Sequence, residues 1–557
     1  MASVAASAPL PNRAPESWLF GRGSDLLLGC GVLYALLFAV LLATGRELRL
    51  ATPNLLFALA FIAVSIPHYG ATLLRVYERA RDRRSYALFS IWATLVLAAA
   101  FVGALFAPAL GTFLVTLYFT WSPWHYTGQN YGLAVMFLRR RGVAIEAGEK
   151  RWLYASFALS FVLVALVSHS AGMGVRGAAQ YGGAAAIRFA PLGIPANWVA
   201  WLAPLVCAGQ GIALAVVAFS FARRASLRAL APLFALWLAQ ALWFTLPYAA
   251  LQFDRFQNLD VLDWRNNNHY FLWIALAHAA QYLWVTAYFA RQSGAQSSIG
   301  VFWLKAALAG ALVWTLPLLV FWQPGLALLS PDAGMLVLVA AFANLHHFVL
   351  DGAIWKLRGR IAQVLIASQP DAPEDAAPRR SWLRPVVWAG CALALAANLA
   401  GVLLEDGWLR ALRNRDFAAA RETLAQLHWV GRDRASYHLA VAQSLAQVGA
   451  HEAAREEALR AAEDAPNLEA QIALASANLA LGENAEAARA FEAALALAPE
   501  RAGLHRRAAR AWKAANEPAR ALAHLEHAVK IAPDDASLAR ELARSRTANA
   551  APRNRLP

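Results

Sequence analysis

Eleven apolar runs, each close to the ~20 residues that a helix needs to cross a hydrocarbon core, fill the chain from position 25 to 404. In lipid every backbone polar group must find a partner within its own segment, so runs of this kind are read as helices and the fold class as all-α. They fall at roughly 25–44, 53–76, 86–106, 110–138, 152–169, 196–222, 226–251, 266–290, 301–322, 333–357 and 383–404. The fourth is longer than a span requires and contains Pro123, which predicts a kink or a tilt. The predicted organisation is a cytoplasmic tail over 1–24, a polytopic transmembrane bundle over 25–404, a helical domain over 405–548 and a disordered tail over 549–557.

Charge orients this bundle. The 50 Lys+Arg outnumber the 35 Asp+Glu, a formal +15 that in a water-soluble chain would point to nucleic acid. Through Leu404 there are 29 basic and 15 acidic residues, and beyond it 21 and 20, so the excess belongs to the apolar part and no nucleic-acid partner is expected. The connections after the second and fourth runs hold Arg75, Arg79, Arg81, Arg83 and Arg84, and Arg139, Arg140, Arg141, Lys150 and Arg151. The positive-inside rule makes both cytoplasmic. Extending that parity leaves 23 basic residues on the cytoplasmic side and six on the other. The resulting expectation is a multi-pass protein of a bacterial inner membrane, with its N-terminus inside and everything after Leu404 extracytoplasmic. Met1 to Asp25 lacks a charged segment followed by a cleavable apolar core, so it reads as a tail and not as a signal peptide. Cys30, Cys207 and Cys391 show no CxxC spacing and offer no disulfide framework or covalent haem site.

Beyond Leu404 the pattern changes. Gly449, Gly482 and Asn516 lie 33 and 34 residues apart, as do Pro466, Pro499 and Pro533, each Pro closing a block such as AARAFEAALALAP (487–499). This resembles the tetratricopeptide repeat, whose 34-residue unit has a small residue at the inter-helix turn and a closing Pro. An incomplete first unit ends near Trp429, its first helix continuing the last span. The resemblance implies an α-solenoid with a concave surface for a protein or peptide partner.

Within the spans, polar side chains are costly and usually face a functional interior. His68, His125, His278 and the pair His346 and His347 occupy the second, fourth, eighth and tenth runs, which the charge parity makes co-directional. They precede the first cytoplasmic cation by 7, 14, 13 and, from His347, 9 residues, a spread of about 10 Å at 1.5 Å per residue. One such imidazole alone is an ordinary packing residue. Four or five at one depth form a ligand set for iron, copper or zinc, or for haem through two axial histidines. Each has a polar companion one turn later: Thr72, Gln129, Gln281 with Tyr282, and Asp351. A bound imidazole needs its second ring nitrogen oriented by such a group, and Asp351 and Gln129 are the expected orienters. Tyr69, Tyr126, Tyr131 and Tyr282 are expected to donate to bound oxygen species, and Trp124 and Trp355 to anchor the bilayer. Pro67 and Pro123 free mid-span carbonyls, which suits walls of a polar cavity. The loop 253–270, with Asp254, Asp260, Asp263 and His269, reads as a solvated charged loop.

SIPHYGAT (65–72) and WSPWHYTGQ (121–129), with a later His-rich span, resemble the bacterial membrane carotene-cleaving oxygenases, in which PHGA-like and WHFG-like segments supply histidines to a non-haem iron. That resemblance implies His68 and His125 as the first two iron ligands, His278 with His346 or His347 as the others, and a lipid or isoprenoid substrate. HHFVLDG (346–352) is also similar to the His-rich tenth helix of haem-copper oxidases, whose companion His-Tyr and second His-His segments this chain does not carry. The sequence therefore favours a membrane metalloprotein with an iron-dependent oxidoreductase activity, Asp351, Gln129, Tyr126 and Tyr282 assisting. A different class stays open: an envelope-biogenesis, transport or assembly protein without metal. A polytopic sugar transferase fits less well, since the first outer loop ATGRELRLATPN (43–54) holds Glu47 alone in place of an acidic pair.

Overall fold

Helix is the regular structure throughout the residues that the computed structural model describes, which are 18–44, 54–78, 82, 85–171, 187–250, 269–294, 298–321, 334–357, 359–368, 382–464 and 467–550. The tails 1–17 and 551–557, most of the loop 253–270 and Pro466 lie outside them, as do Arg79, Arg81, Arg83, Arg84, Arg358, Arg379 and Arg380. Two compact units result, a bundle that reaches Leu399 and a second unit that runs from Ala400.

The bundle is built from α1 (Val32–Thr44), α2 (Leu55–Tyr77), α3 (Leu88–Phe106), α4 (Pro108–Arg140), α5 (Ala147–Ser168), α6 (Ala196–Ala222), α7 (Leu227–Ala249), α8 (His269–Gln292), α9 (Ile299–Phe321), α10 (Leu336–Ile354) and the first part of α11 (Leu383–Arg413). Eight described helices, fewer than the eleven spans expected, are long and apolar enough to cross a membrane, and the count reaches nine if Arg22–Gly29 and Val32–Val40, bent by 66°, are taken as one span. Helices α4 and α8, at 33 and 24 residues, are long enough but fall outside that set. Their apolar content is diluted by the polar side chains that they carry, among them His125, Gln129 and Asn130 on α4 and His278 and Gln281 on α8.

The outer surface is apolar and the interior holds the polar groups. Trp92, Val96, Trp201, Leu205 and Leu393 stand exposed, a distribution that suits lipid and not water. Inside, Gln240 of α7 donates to Thr127 of α4 and Ser160 of α5 at 2.8 and 2.7 Å, and accepts from Asn130 at 2.8 Å. Such interhelical bonds contribute about 0.6 kcal/mol each in membranes, so this network fixes the rotation of α4 more than it drives association. Asn344 of α10 accepts from Tyr69 of α2 at 2.7 Å. Of the apolar stretch of α10, 83% is buried, which makes it the central helix.

Close backbone approach sets the position of α2. A Cβ placed on Gly70 would lie 1.8 Å from the Ala306 carbonyl oxygen, and one on Gly310 would lie 1.9 Å from that of Ile66, so α2 and α9 cross in direct main-chain contact. One turn of π-helix at Phe61–Ser65 precedes Pro67. Proline cannot bond the carbonyl four residues back, and that carbonyl, Ala63, instead accepts from Trp303 Nε1 at 2.8 Å. The irregular turn thereby presents His68 without stranding the Ala63 carbonyl.

The second unit is a solenoid of α12 (Phe417–Trp429), α13 (Ala435–Gln447), α14 (His451–Asp464), α15 (Leu468–Ala480), α16 (Asn484–Leu497), α17 (Ala502–Ala514), α18 (Pro518–Ile531) and α19 (Ala536–Ala550). Gly449, Gly482 and Asn516 all adopt positive φ, +78°, +78° and +62°, in the turns that join α13 to α14, α15 to α16 and α17 to α18. Arg415, 34 residues before Gly449, does the same at +58° between α11 and α12. The left-handed turn recurs at every unit, and the first unit makes it with a residue that pays a steric penalty there. Small residues such as Ala475, Ala488, Ala494 and Ala508 let the helices nest, with Phe491 and Trp512 filling between them. These are tetratricopeptide-like repeats.

Candidate metal centre

Four elements deliver one imidazole each to a single point. His68 of α2, His125 of α4, His278 of α8 and His347 of α10 each offer a ring nitrogen, and the four atoms lie within 4.8 Å of one another. A coordination sphere with metal–nitrogen bonds of about 2.1 Å spans about 4.2 Å, so the group needs only a slight contraction to close on one ion. Ring centroids are 4.2 Å apart for His68 and His347, and 4.9 Å apart for His68–His278, His125–His278 and His125–His347.

Both nitrogens of His68 and of His278, together with Nε2 of His125 and of His347, are buried without a hydrogen-bond partner. Buried polar atoms in native proteins are almost always paired. Stranding six in one place carries a large desolvation cost, and a cation in the middle would satisfy the inward-facing ones.

Around this tetrad the hydrogen bonds differ from those the sequence suggests. Thr72, one turn after His68, serves His347: its Oγ1 lies 2.9 Å from His347 Nδ1, 3.0 Å from Asp351 Oδ1 and 2.6 Å from the Tyr282 hydroxyl. When Thr72 donates to Asp351, its lone pair accepts from His347 Nδ1–H, and Nε2 is left as the inward-facing acceptor. Asp351, expected behind His347 as its orienter, lies on the inner side, with Oδ2 3.3 Å from His347 Nε2 and 3.8 Å from His125 Nε2. Its Oδ1 accepts from the Tyr282 hydroxyl at 2.7 Å. Gln129, expected to orient His125, donates instead to the His278 carbonyl at 3.2 Å and to Gln281 Oε1 at 3.0 Å, tying α4 to α8. Tyr126 stacks on His278, ring centroids 4.1 Å apart.

His346 does not join the group. Successive residues on a helix point about 100° apart, so of the pair only His347 faces the centre; His346 Nε2 lies 2.8 Å from Thr94 Oγ1 of α3. Trp355, expected as a bilayer anchor, donates to the Tyr282 hydroxyl at 3.0 Å. The side chain of His269, with Asp254, Asp260 and Asp263, lies outside the described residues.

A cleft of about 330 Å³ leads to the tetrad, lined on its inner side by His125, Asp351 and Tyr282 and elsewhere by Trp121, Trp124 and Trp355. Gly128 and Gly132 border it, and a Cβ on either would meet nothing within 4 Å. Their GxxxG spacing in WHYTGQNYG, three and seven residues after His125, is the signal that marks the groove in the sequence.

In the solenoid, a separate cleft of about 430 Å³ is lined by Arg506, Arg510, Lys513, Arg540 and Arg544, with Glu541 bonded to Arg506 and Arg510.

No family model matches the chain, and no curated protein does. Solved structures that match include MamA 41-end from Desulfovibrio magneticus RS-1, at 17% identity over 27% of this chain and 85% of that one with a TM-score of 0.23. Another is YrrB, described as a TPR protein with an unusual peptide-binding site, at 19% identity over 29% of this chain and 83% of that one with a TM-score of 0.22. The repeat architecture stands on the turn spacing and helix pairing described above.

Proposed function

We propose that the protein is an integral-membrane, non-haem iron oxidoreductase acting on a lipid or isoprenoid. The observation that carries this reading is the tetrad of buried imidazoles whose inward nitrogens have no hydrogen-bond partner. His68, His125, His278 and His347 would hold the ion, and Asp351 Oδ2, beside two of them, would add an oxygen donor or take up a proton. Thr72 and Tyr282 hold Oδ1 of that carboxylate and so fix where Oδ2 points. The chemistry that iron supplies when bound in such a nitrogen-rich site with an open position is one-electron and dioxygen chemistry. Four rings packed at centroid distances of 4.2 to 4.9 Å leave no slot for a porphyrin plane, which favours a single ion over haem. The aromatic cleft, with Trp121, Trp124 and Trp355 in its walls, suits an apolar substrate. In this reading the bundle lies in a bacterial inner membrane with its N-terminus cytoplasmic, and the extracytoplasmic solenoid recruits a protein or peptide partner.

Metal analysis of the purified chain tests the proposal. The wild type should contain about one iron per chain, with loss in both His125→Ala and His347→Ala and no haem absorption band. Stoichiometric copper or zinc would overturn the iron assignment, and substoichiometric metal of every kind in the wild type would overturn the centre itself.

A further inference from the structure

The cleft at His125 and Asp351 does not stop at its aromatic walls. A second cavity of about 540 Å³ shares Gly128, Gly132, Trp355 and Leu357 with it and ends among Arg139, Lys150 and Lys356. A single groove therefore runs from His125 to a cluster of three cations. Its floor is the face of α4 that carries His125, Gly128 and Gly132, and Arg139 lies 14 residues beyond His125 on the same unbroken helix, about 21 Å along its axis. All three cations are exposed, and among the described residues no carboxylate lies within ion-pair distance of any of them. Cytoplasmic loop charge explains why cations occur at this level of the bundle, but membrane orientation requires no groove leading from them to a buried histidine.

Charge and shape together specify the occupant. An apolar, glycine-floored trough with a cationic mouth complements a molecule with one long apolar part and an anionic end. The inner part, about 330 Å³, sits at the lower limit of small-molecule sites, roughly 300–1,000 Å³, which leaves room for one chain and not two. We propose that the groove binds a single-chain amphiphile with an anionic headgroup, carboxylate or phosphate. The headgroup rests on Arg139, Lys150 and Lys356, and the chain lies past Gly132 and Gly128 toward the tetrad. The position presented to the centre is then deep in the chain, far from the head. This substrate class rests on the metal-centre reading for its chemistry, but binding does not need the metal.

The test is equilibrium binding to the full-length protein in a non-ionic detergent, with palmitate, hexadecyl phosphate and hexadecanol as probes and metal content measured on the same preparations. Palmitate or hexadecyl phosphate should bind at least tenfold more tightly than hexadecanol, and whichever binds tighter names the headgroup. The triple variant Arg139→Gln/Lys150→Gln/Lys356→Gln should remove that preference. Gly132→Leu should block all three probes while retaining the metal, and His125→Ala should lose the metal while still binding the anionic probe. Equal binding of the three probes to the wild type, or an anionic preference that survives the triple variant, overturns the proposal. Metal without amphiphile binding sinks this inference and leaves the centre standing; amphiphile binding without metal does the reverse.

Discussion

Thr72 shows how much of the centre depends on one hydroxyl. Its oxygen touches His347, Asp351 and Tyr282, which come from two other helices. Orientation of the ring nitrogen opposite the ligand atom typically changes metal affinity 10–100-fold. Thr72→Val keeps the shape and removes the bond, so if the proposed centre binds metal, its metal affinity in a chelator competition is expected to fall by about that factor with the helical content unchanged. Thr72→Ser should restore most of it. Unaltered affinity in the valine variant would show that His347 is held by packing alone. The sequence marks Thr72 as polar and buried-facing, yet its spacing pairs it with His68. The true partner is 275 residues away, and periodicity along one helix says nothing about which neighbour a side chain meets across the bundle. The same holds for Gln129, whose expected partner one turn back is replaced by α8.

At the scale of elements, small residues decide where the ligands stand. Gly70 and Gly310 allow α2 and α9 to touch main chain to main chain, two residues from His68. Gly310→Ala forces a methyl group into the Ile66 carbonyl and should cost about 3 kcal/mol, at the upper end for overpacking. Because α2 must then move, the variant should lose metal together with thermal stability. Gly128→Ala, whose added methyl meets open space, should stay within about 0.5 kcal/mol of wild type. Equal melting of the two variants would refute the close crossing. Hydropathy made most helices legible but penalised α4 and α8 for the very polar residues that matter. In the solenoid, the turns at Gly449, Gly482 and Asn516 could be read from residue type, whereas Arg415 conceals an equivalent turn because arginine gives no sign of positive φ.

Across the whole molecule both units bury charge. In the bundle Arg75 and Arg360 each reach the buried Asp82 at 2.7 Å, and the solenoid carries a buried charged triad of its own. His438 of α13 lies 2.6 Å from Glu457 of α14 through Nδ1 and 3.0 Å from Asp433 through Nε2, and Arg421 of α12 reaches the same Glu457 at 2.7 Å. Burial pulls the imidazole down, but the two carboxylates outweigh it and raise its pKa to about 9. A folded value above the ordinary 6.5 means that the charged ring is the stabilising form. Its contribution, up to about 3 kcal/mol, is complete below about pH 6.5 and is lost as pH rises through about 9. Hydrogen exchange in α12–α14 should therefore accelerate between pH 7 and 10, after correction for intrinsic rates. In His438→Gln that acceleration should vanish and the segment should be less protected at pH 6. An identical pH response in both proteins would rule the triad out as a stabilising device.

The four histidines of the tetrad enter the chain at positions 68, 125, 278 and 347, and the last of them sits on the central helix. During synthesis the first two histidines are available long before α10 has emerged, and they can form at best a half-site. If the tetrad holds a metal as proposed, its acquisition is a late event in biogenesis, after the chain has been made through α10. A truncated or stalled nascent chain would carry the motifs that look most like a metal site while being unable to retain an ion.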